Sequence, residues 1–232
     1  TNLQGKGFGD TNFSNAYAVG DIRIAPGSVE DVLYSQNAKY NSAFDVNGDG
    51  LCDNRDLFLL GNALVAGGAG QTVLNSYTDL LLKRADVDSS GVADAADIAQ
   101  LYASFGTTTW LTDLNVDGVV DIEDVKTSIS KLFRTVTGDF NLDGSVDAAD
   151  YVVLREHLGQ SSATFVQGDA TFDGVVGPDD LSVWRSYFGF ARQPLAPAVG
   201  AAVSAVPEPA VGLLAVTAIV WIHSMWRKRT KW

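Results

Sequence analysis

Gly138-Asp139-Phe140-Asn141-Leu142-Asp143-Gly144-Ser145-Val146-Asp147-Ala148-Ala149-Asp150 is the stretch on which the reading of this chain turns. Short oxygen-bearing side chains alternate from Asp139 to Asp143, a glycine follows, and two more acids, Asp147 and Asp150, stand three places apart. A hard divalent cation such as calcium takes six to eight oxygens. A twelve-residue loop supplies them from positions 1, 3, 5, 7, 9 and 12, with glycine at 6 for the sharp turn. Counted from Asp139, the ligands are Asp139, Asn141, Asp143, the backbone carbonyl of Ser145, Asp147 (through a water) and Asp150, which gives one or two oxygens.

The same pattern occurs four more times. The loop at 45–56 offers Asp45, Asn47, Asp49, the Leu51 carbonyl, Asp53 and Asp56; the loop at 86–97 offers Asp86, Asp88, Ser90, the Val92 carbonyl, Asp94 and Asp97. The loop at 113–124 offers Asp113, Asn115, Asp117, the Val119 carbonyl, Asp121 and Asp124. The last, at 169–180, has Asp169, Thr171, Asp173, the Val175 carbonyl and Asp180, with Gly177 where the others carry an acid at position 9. One such string is a common polar turn. Five in register, with glycine at position 6 each time, are a repeat. A sixth, degenerate unit would start at Asp21, without metal because Arg23 and Ala25 stand at ligand positions.

Each loop runs into a short stretch with helical apolar spacing: Leu57, Leu60 and Leu64; Ile98, Leu101, Tyr102 and Phe105; Val125, Ile129 and Leu132; Tyr151, Leu154 and Leu158; Leu181, Trp184 and Phe188. Gly106, Gly159 and Gly189 follow as left-handed caps. Helices of about three turns are unstable alone, so the units must pack on one another. The expected fold class is mainly α: tandem calcium-loop-helix units, then a flexible linker and one hydrophobic C-terminal helix. Position 8 is small and apolar throughout (Cys52, Ala93, Val120, Val146, Val176), as expected where loops pair through a short β bridge. Ser28 is a candidate N-cap for a helix carrying Val29, Val32 and Leu33, and Thr72 to Ala85 a candidate entering helix for the second unit.

The charge balance agrees with cations as partners. The 232 residues carry 28 acids against 16 basic residues, a net charge of -12, which repels nucleic acid. The ligand positions hold 19 of those 28 acids, so five divalent ions would bring the chain close to neutral, and folding is expected to depend on calcium. The lone Cys52 excludes an internal disulfide and is read as a buried small side chain. Only His157 and His223 are available as imidazole bases, and the carboxylate pairs all fall inside the loops, so no enzyme is expected.

These units resemble dockerin type I repeats, a loop-helix variant of the EF-hand in which the entering helix is missing and position 12 is commonly Asp. The match covers about Asp45 to Gly189, and Gly138-Asp139 to Gly159 follows the pattern most closely. The resemblance implies calcium binding, pairing of two units, and docking onto a cohesin partner through helix faces and loop positions 10 and 11. Those positions read Asn54-Arg55, Ala95-Ala96, Ile122-Glu123, Ala148-Ala149 and Pro178-Asp179, which form no single recognition code. The organisation expected is an irregular end of a preceding region at 1–27, the first two units at 28–106, the third at 107–134 paired with the second, and the fourth and fifth at 135–192. The first loop packs on the 28–40 segment.

A linker rich in Pro, Ala and Gly follows at 193–206, then Pro207-Glu208-Pro209, then a charge-free segment at 210–226 and a basic tail of Arg227, Lys228, Arg229 and Lys231. That segment is about 25 Å long as a helix, the short end of what spans a bilayer. The order resembles the PEP-CTERM sorting signal, here 207–232. It implies an exosortase that cleaves near Pro207-Glu208-Pro209. The expected location is the cell envelope or outside the cell, with the basic tail cytoplasmic and the loops on the far side of the membrane.

Overall fold

In the computed structural model, residues 17–23, 25–36 and 38–197 are described. They are helices joined by loops, and among them only isolated β bridges stand in place of strands. The helices are α1 (Val19–Ile22), α2 (Val29–Leu33), α3 (Asn54–Ala66), α4 (Gln71–Ala85), α5 (Ala95–Ala103), α6 (Ile122–Thr127), α7 (Ala148–Glu156) and α8 (Pro178–Tyr187). A π-helical turn at Ser128–Leu132 extends α6, and a 3-10 turn at Phe165–Gln167 precedes the last loop. The mainly α expectation is met. The proposed linker from residue 198 on, the sorting signal and the apolar segment lie outside the described residues.

The loops start the helices. In α3, α5, α6 and α7 the position-9 aspartate is the N-cap: Asp53, Asp94, Asp121 and Asp147 accept from the N–H two residues on. The position-12 aspartate closes each box by accepting from the N-cap N–H. Four orphan N–H groups open every helix, so such a reciprocal cap sets where each one begins. Ser28 caps α2 through its hydroxyl oxygen, which accepts from Asp31 N–H at 3.3 Å.

A core of aliphatic side chains runs through the first three units. Leu57, Leu60 and Leu64 of α3, Ile98 and Leu101 of α5, and Val125, Ile129 and Leu132 of α6 and its π turn are all buried. The long α4 between the first two loops supplies Leu74, Tyr77, Leu80 and Leu81 to cover them. Arg84 near its end is fully buried and ties units together. Its guanidinium donates to Asn54 Oδ1 at 3.0 Å and to the carbonyls of Leu111 and Trp110 at 2.8 and 2.9 Å, and it lies 4.6 Å from the Trp110 ring centre. Asn54 in turn donates to the Leu114 carbonyl at 3.0 Å.

The last two units depart from the expected packing. Leu154 is buried, but Tyr151, Leu158 and Phe188 are exposed and Trp184 is half-buried. No helix comparable to α4 stands in this part of the chain; α7 packs on α8 and on the 3-10 turn, which leaves part of both helices open.

The bridges also differ from the expected loop-to-loop pairing. Val176 in loop 5 donates to the Gln160 carbonyl at 3.0 Å and accepts from Gly159 N–H at 2.8 Å; Val146 in loop 4 donates to Phe190 and accepts from Gly189, both at 2.9 Å. Val120 in loop 3 likewise accepts from Gly106 and donates to Thr107, both at 2.8 Å. Each bridge therefore joins position 8 to the chain leaving the partner helix, where a glycine with positive φ (80° at Gly106, 85° at Gly159, 88° at Gly189) turns its N–H back. This couples unit 3 to unit 2 and makes units 4 and 5 reciprocal. Past α8 the chain stays on the body. Arg192 donates to the Phe133 carbonyl, Arg134 to Gln193 and Gln71 to Leu195, so 193–197 is a strap rather than free linker.

Candidate metal centres

All five loops fold onto their acids in one way. The position-1 carboxylate accepts from the position-6 glycine: Gly50 to Asp45 at 3.1 Å, Gly91 to Asp86 at 2.9 Å, Gly118 to Asp113 at 3.0 Å, and Gly144 to Asp139 and Gly174 to Asp169 at 2.8 Å. These glycines have φ between 82° and 94°, the left-handed region. Position 4 is left-handed too. It is glycine only in loop 1, at Gly48; elsewhere Ser89, Val116, Leu142 and Phe172 hold φ near 61° or 62°.

The position-12 aspartates, Asp56, Asp97, Asp124, Asp150 and Asp180, are 0–1% exposed. One oxygen accepts from the backbone at the start of the loop, as from Phe140 and Asn141 at 2.8 and 3.2 Å in loop 4, and the other from the position-9 N–H. Three backbone donors leave about one lone-pair site on such a carboxylate. The two loop-start donors fill Oδ1, so the capping oxygen Oδ2 is the one with a lone pair left for an ion. Burial pushes Asp56, Asp97, Asp124 and Asp150 above the ordinary carboxylate range, against the pull of these N–H groups.

Carboxylate oxygens converge within 4.8 Å of one another in loop 1, from Asp45, Asp49 and Asp56, and in loop 2, from Asp86, Asp88 and Asp97. Loops 1, 3 and 4 carry an asparagine at position 3, and its amide donates to the position-5 carboxylate: Asn47 to Asp49 at 3.1 Å, and Asn115 to Asp117 and Asn141 to Asp143, each at 2.9 Å. Loop 5 uses the Thr171 hydroxyl, which donates to Asp180 Oδ1 at 3.1 Å. The position-7 side chains Leu51, Val92, Val119 and Val175 point out and are exposed, consistent with only their carbonyls being offered. Asp94 and Asp147 at position 9 are exposed caps.

Loop 4 carries one atom that the protein alone leaves unsatisfied. Asp139 is fully buried; its Oδ2 accepts from Thr135 Oγ1 at 2.6 Å and from Gly144, while Oδ1 has no hydrogen-bond partner. Burial pushes its carboxyl up to about 6, with Asp150 and Asp143 adding to the rise. A buried carboxylate oxygen without a donor costs free energy unless a proton or a cation meets it. The oxygen-only donor set suits a hard cation.

The register of the degenerate sixth unit is corrected by Asp21. This residue is buried in α1, and its Oδ2 accepts from Ala18 N–H at 2.7 Å, the bond a position-12 aspartate makes to position 9. Asp21 therefore ends a loop rather than starting one. In that register Asp10, Asn12 and Ser14 fall at positions 1, 3 and 5 of the sequence pattern, with Asn15 in place of the glycine. Those four lie outside the described residues. The signal was present in the spacing, hidden by the missing glycine.

Cys52 is buried beside the Asn41 carbonyl, Sγ at 3.6 Å, and burial raises its thiol pKa. His157 caps the end of α7, its Nδ1 2.8 Å from the Val153 carbonyl. Among the described residues no helix is long and apolar enough to cross a membrane. No protein-family model, no curated protein and no solved structure matches the chain.

Proposed function

We propose that this chain is a non-catalytic calcium-binding repeat region, dockerin-like, of an exported bacterial surface protein. It acts as a stalk, with its C-terminus serving for sorting and anchoring. The observation that carries the metal reading is the buried, partnerless Asp139 Oδ1 inside a loop whose geometry recurs four more times. Each loop presents oxygens from positions 1, 3, 5, 7 and 12, and each ion bound would neutralise carboxylates whose charged form burial makes costly.

The test is calorimetric titration of the metal-free chain with calcium, alongside thermal melting in chelator and in millimolar calcium. The expected result is heat from several sites and a melting temperature higher with calcium by ten degrees or more, on the order of several kcal/mol of linkage. Identical melts in the two buffers would sink the reading.

A second reading, docking onto a cohesin-like partner, is favoured by the aromatic row of exposed Tyr151 on α7, half-buried Trp184 on α8 and exposed Phe188 just past it, with ring centres 5.2 and 5.0 Å apart. Calcium-dependent capture of a cohesin domain would support it. Asn54 at position 10 of loop 1 is fully buried, so that unit does not offer the pair of contacts such docking uses. The sorting role rests on Pro207-Glu208-Pro209 and the apolar segment after it. Mass spectrometry of the mature protein checks it, because cleavage by an exosortase-type enzyme removes the residues beyond that site.

A further inference from the structure

Loop 1 differs from the other four in what stands at position 11. There the chain has Arg55, where the others have Ala96, Glu123, Ala149 and Asp179. The Arg55 guanidinium closes on the loop's own acids. Nη2 lies 2.6 Å from Asp53 Oδ2 and 3.2 Å from Asp49 Oδ2, and Nε is 3.1 Å from both Asp53 oxygens. The first turn of a helix is electrostatically the wrong place for a cation, because the positive end of the macrodipole lies there. Its hold on two carboxylates is what offsets that cost. A second donor comes from Tyr40, whose hydroxyl donates to Asp45 Oδ2 at 2.9 Å.

Positions 1 and 5 of this loop, Asp45 and Asp49, thus both have side-chain donors from outside the ligand set; in loop 4 Asp139 has one as well, from Thr135, but keeps its other buried oxygen unmatched. We propose that Arg55 is a resident cation of loop 1: it compensates the loop's carboxylates in the absence of metal and makes this loop bind a divalent ion less tightly than loop 4. The array then fills in order. At low calcium the first unit keeps its shape through Arg55 while loop 4 takes the ion, so the two ends of the region respond at different concentrations. This inference rests on the metal-loop reading. A divalent ion and a guanidinium charge roughly 6 Å apart in a near-aqueous dielectric repel by enough to change affinity about tenfold.

The experiment is a calcium chloride titration of the chelator-treated full chain, followed by the backbone amide resonances of Gly50 and Gly144. Each of these N–H groups donates to the position-1 carboxylate of its loop and so reports on that loop. In the wild type Gly144 is expected to reach its end point at lower calcium than Gly50. Arg55→Ala should lower the Gly50 midpoint about tenfold and leave that of Gly144 unchanged, and Arg55→Lys, which keeps the charge, should lower it much less. The proposal is overturned if Gly50 responds with or before Gly144, or if its midpoint is unmoved in Arg55→Ala; both outcomes leave the metal reading standing. If neither glycine responds at millimolar calcium, the metal reading itself falls, and the proposal with it.

Discussion

At the scale of single residues, the aspartates of one loop have opposite duties. Asp150 is buried and satisfied: three backbone N–H groups point at it, and it locks the loop to the first turn of α7. Asp139 is buried and half satisfied. The two Asn substitutions should therefore behave differently in chelator. Asp150→Asn replaces an accepting oxygen by an amide nitrogen and strands backbone N–H groups, which should cost about 1–3 kcal/mol with or without calcium. Asp139→Asn removes a buried charge and should leave the metal-free protein as stable or more so, while abolishing the calcium-induced rise in melting temperature that belongs to loop 4. Melting both variants in chelator and in calcium checks the pair; a strong destabilisation of Asp139→Asn in chelator would contradict the assignment. The loops and the place of each acid in them were legible in the sequence because every one lies within twelve residues of its loop's start. The division of labour was not. Whether an aspartate caps a helix or faces an ion depends on which backbone N–H groups the fold turns toward it.

Elements show where local preference is overruled by packing. Alanine is the better helix former, so Gly61 in the middle of α3 looks like a weak point that substitution would repair. The structure argues the reverse. A Cβ at Gly61 would stand 2.8 Å from Tyr77 Cε1, and Tyr77 is held there by its hydroxyl, which donates to the Leu57 carbonyl at 2.7 Å inside the α3–α4 contact. Gly61→Ala should destabilise by about 1–3 kcal/mol despite its better propensity, read as a lower denaturation midpoint at unchanged slope. Val116 is the converse case. It is a β-branched residue at φ 62°, at the position loop 1 gives to a glycine. Val116→Asn should stabilise by on the order of 1 kcal/mol, because asparagine tolerates the left-handed region that valine does not. Helix starts and stops were readable from caps and glycines. The open faces of α7 and α8 were not, since an apolar stripe does not disclose whether another helix will cover it; in the first three units α4 does so. The bridges were misjudged for a related reason. Position 8 was recognisable as a pairing site, but its partner lies in another unit, and nothing local names it.

For the whole molecule the deciding quantity is how many carboxylates the fold keeps from water. Burial raises the pKa of Asp56, Asp97, Asp124, Asp139, Asp150 and Asp169, each with nearby acids adding to the rise. A carboxyl whose folded pKa lies above its unfolded value binds its proton more tightly in the folded state. It therefore contributes stability that is full below the unfolded pKa and is lost as pH rises through the folded one. For Asp139 that window runs from the ordinary 3.8 to about 6. In chelator the protein should thus melt at a higher temperature near pH 4.5 than at pH 7.5, the opposite of a protein whose acids are stabilised by ion pairs. In millimolar calcium the order should reverse, because ligation requires the deprotonated carboxylate and metal competes with the proton for the same oxygens. Differential scanning calorimetry at the two pH values, with and without calcium, gives four melting temperatures, and the prediction is that the two pH dependences have opposite signs. A chelated protein that gains stability steadily up to pH 7.5 would mean that its backbone donors already outweigh the burial of its acids. The loops would then be self-sufficient turns that have no call on an ion.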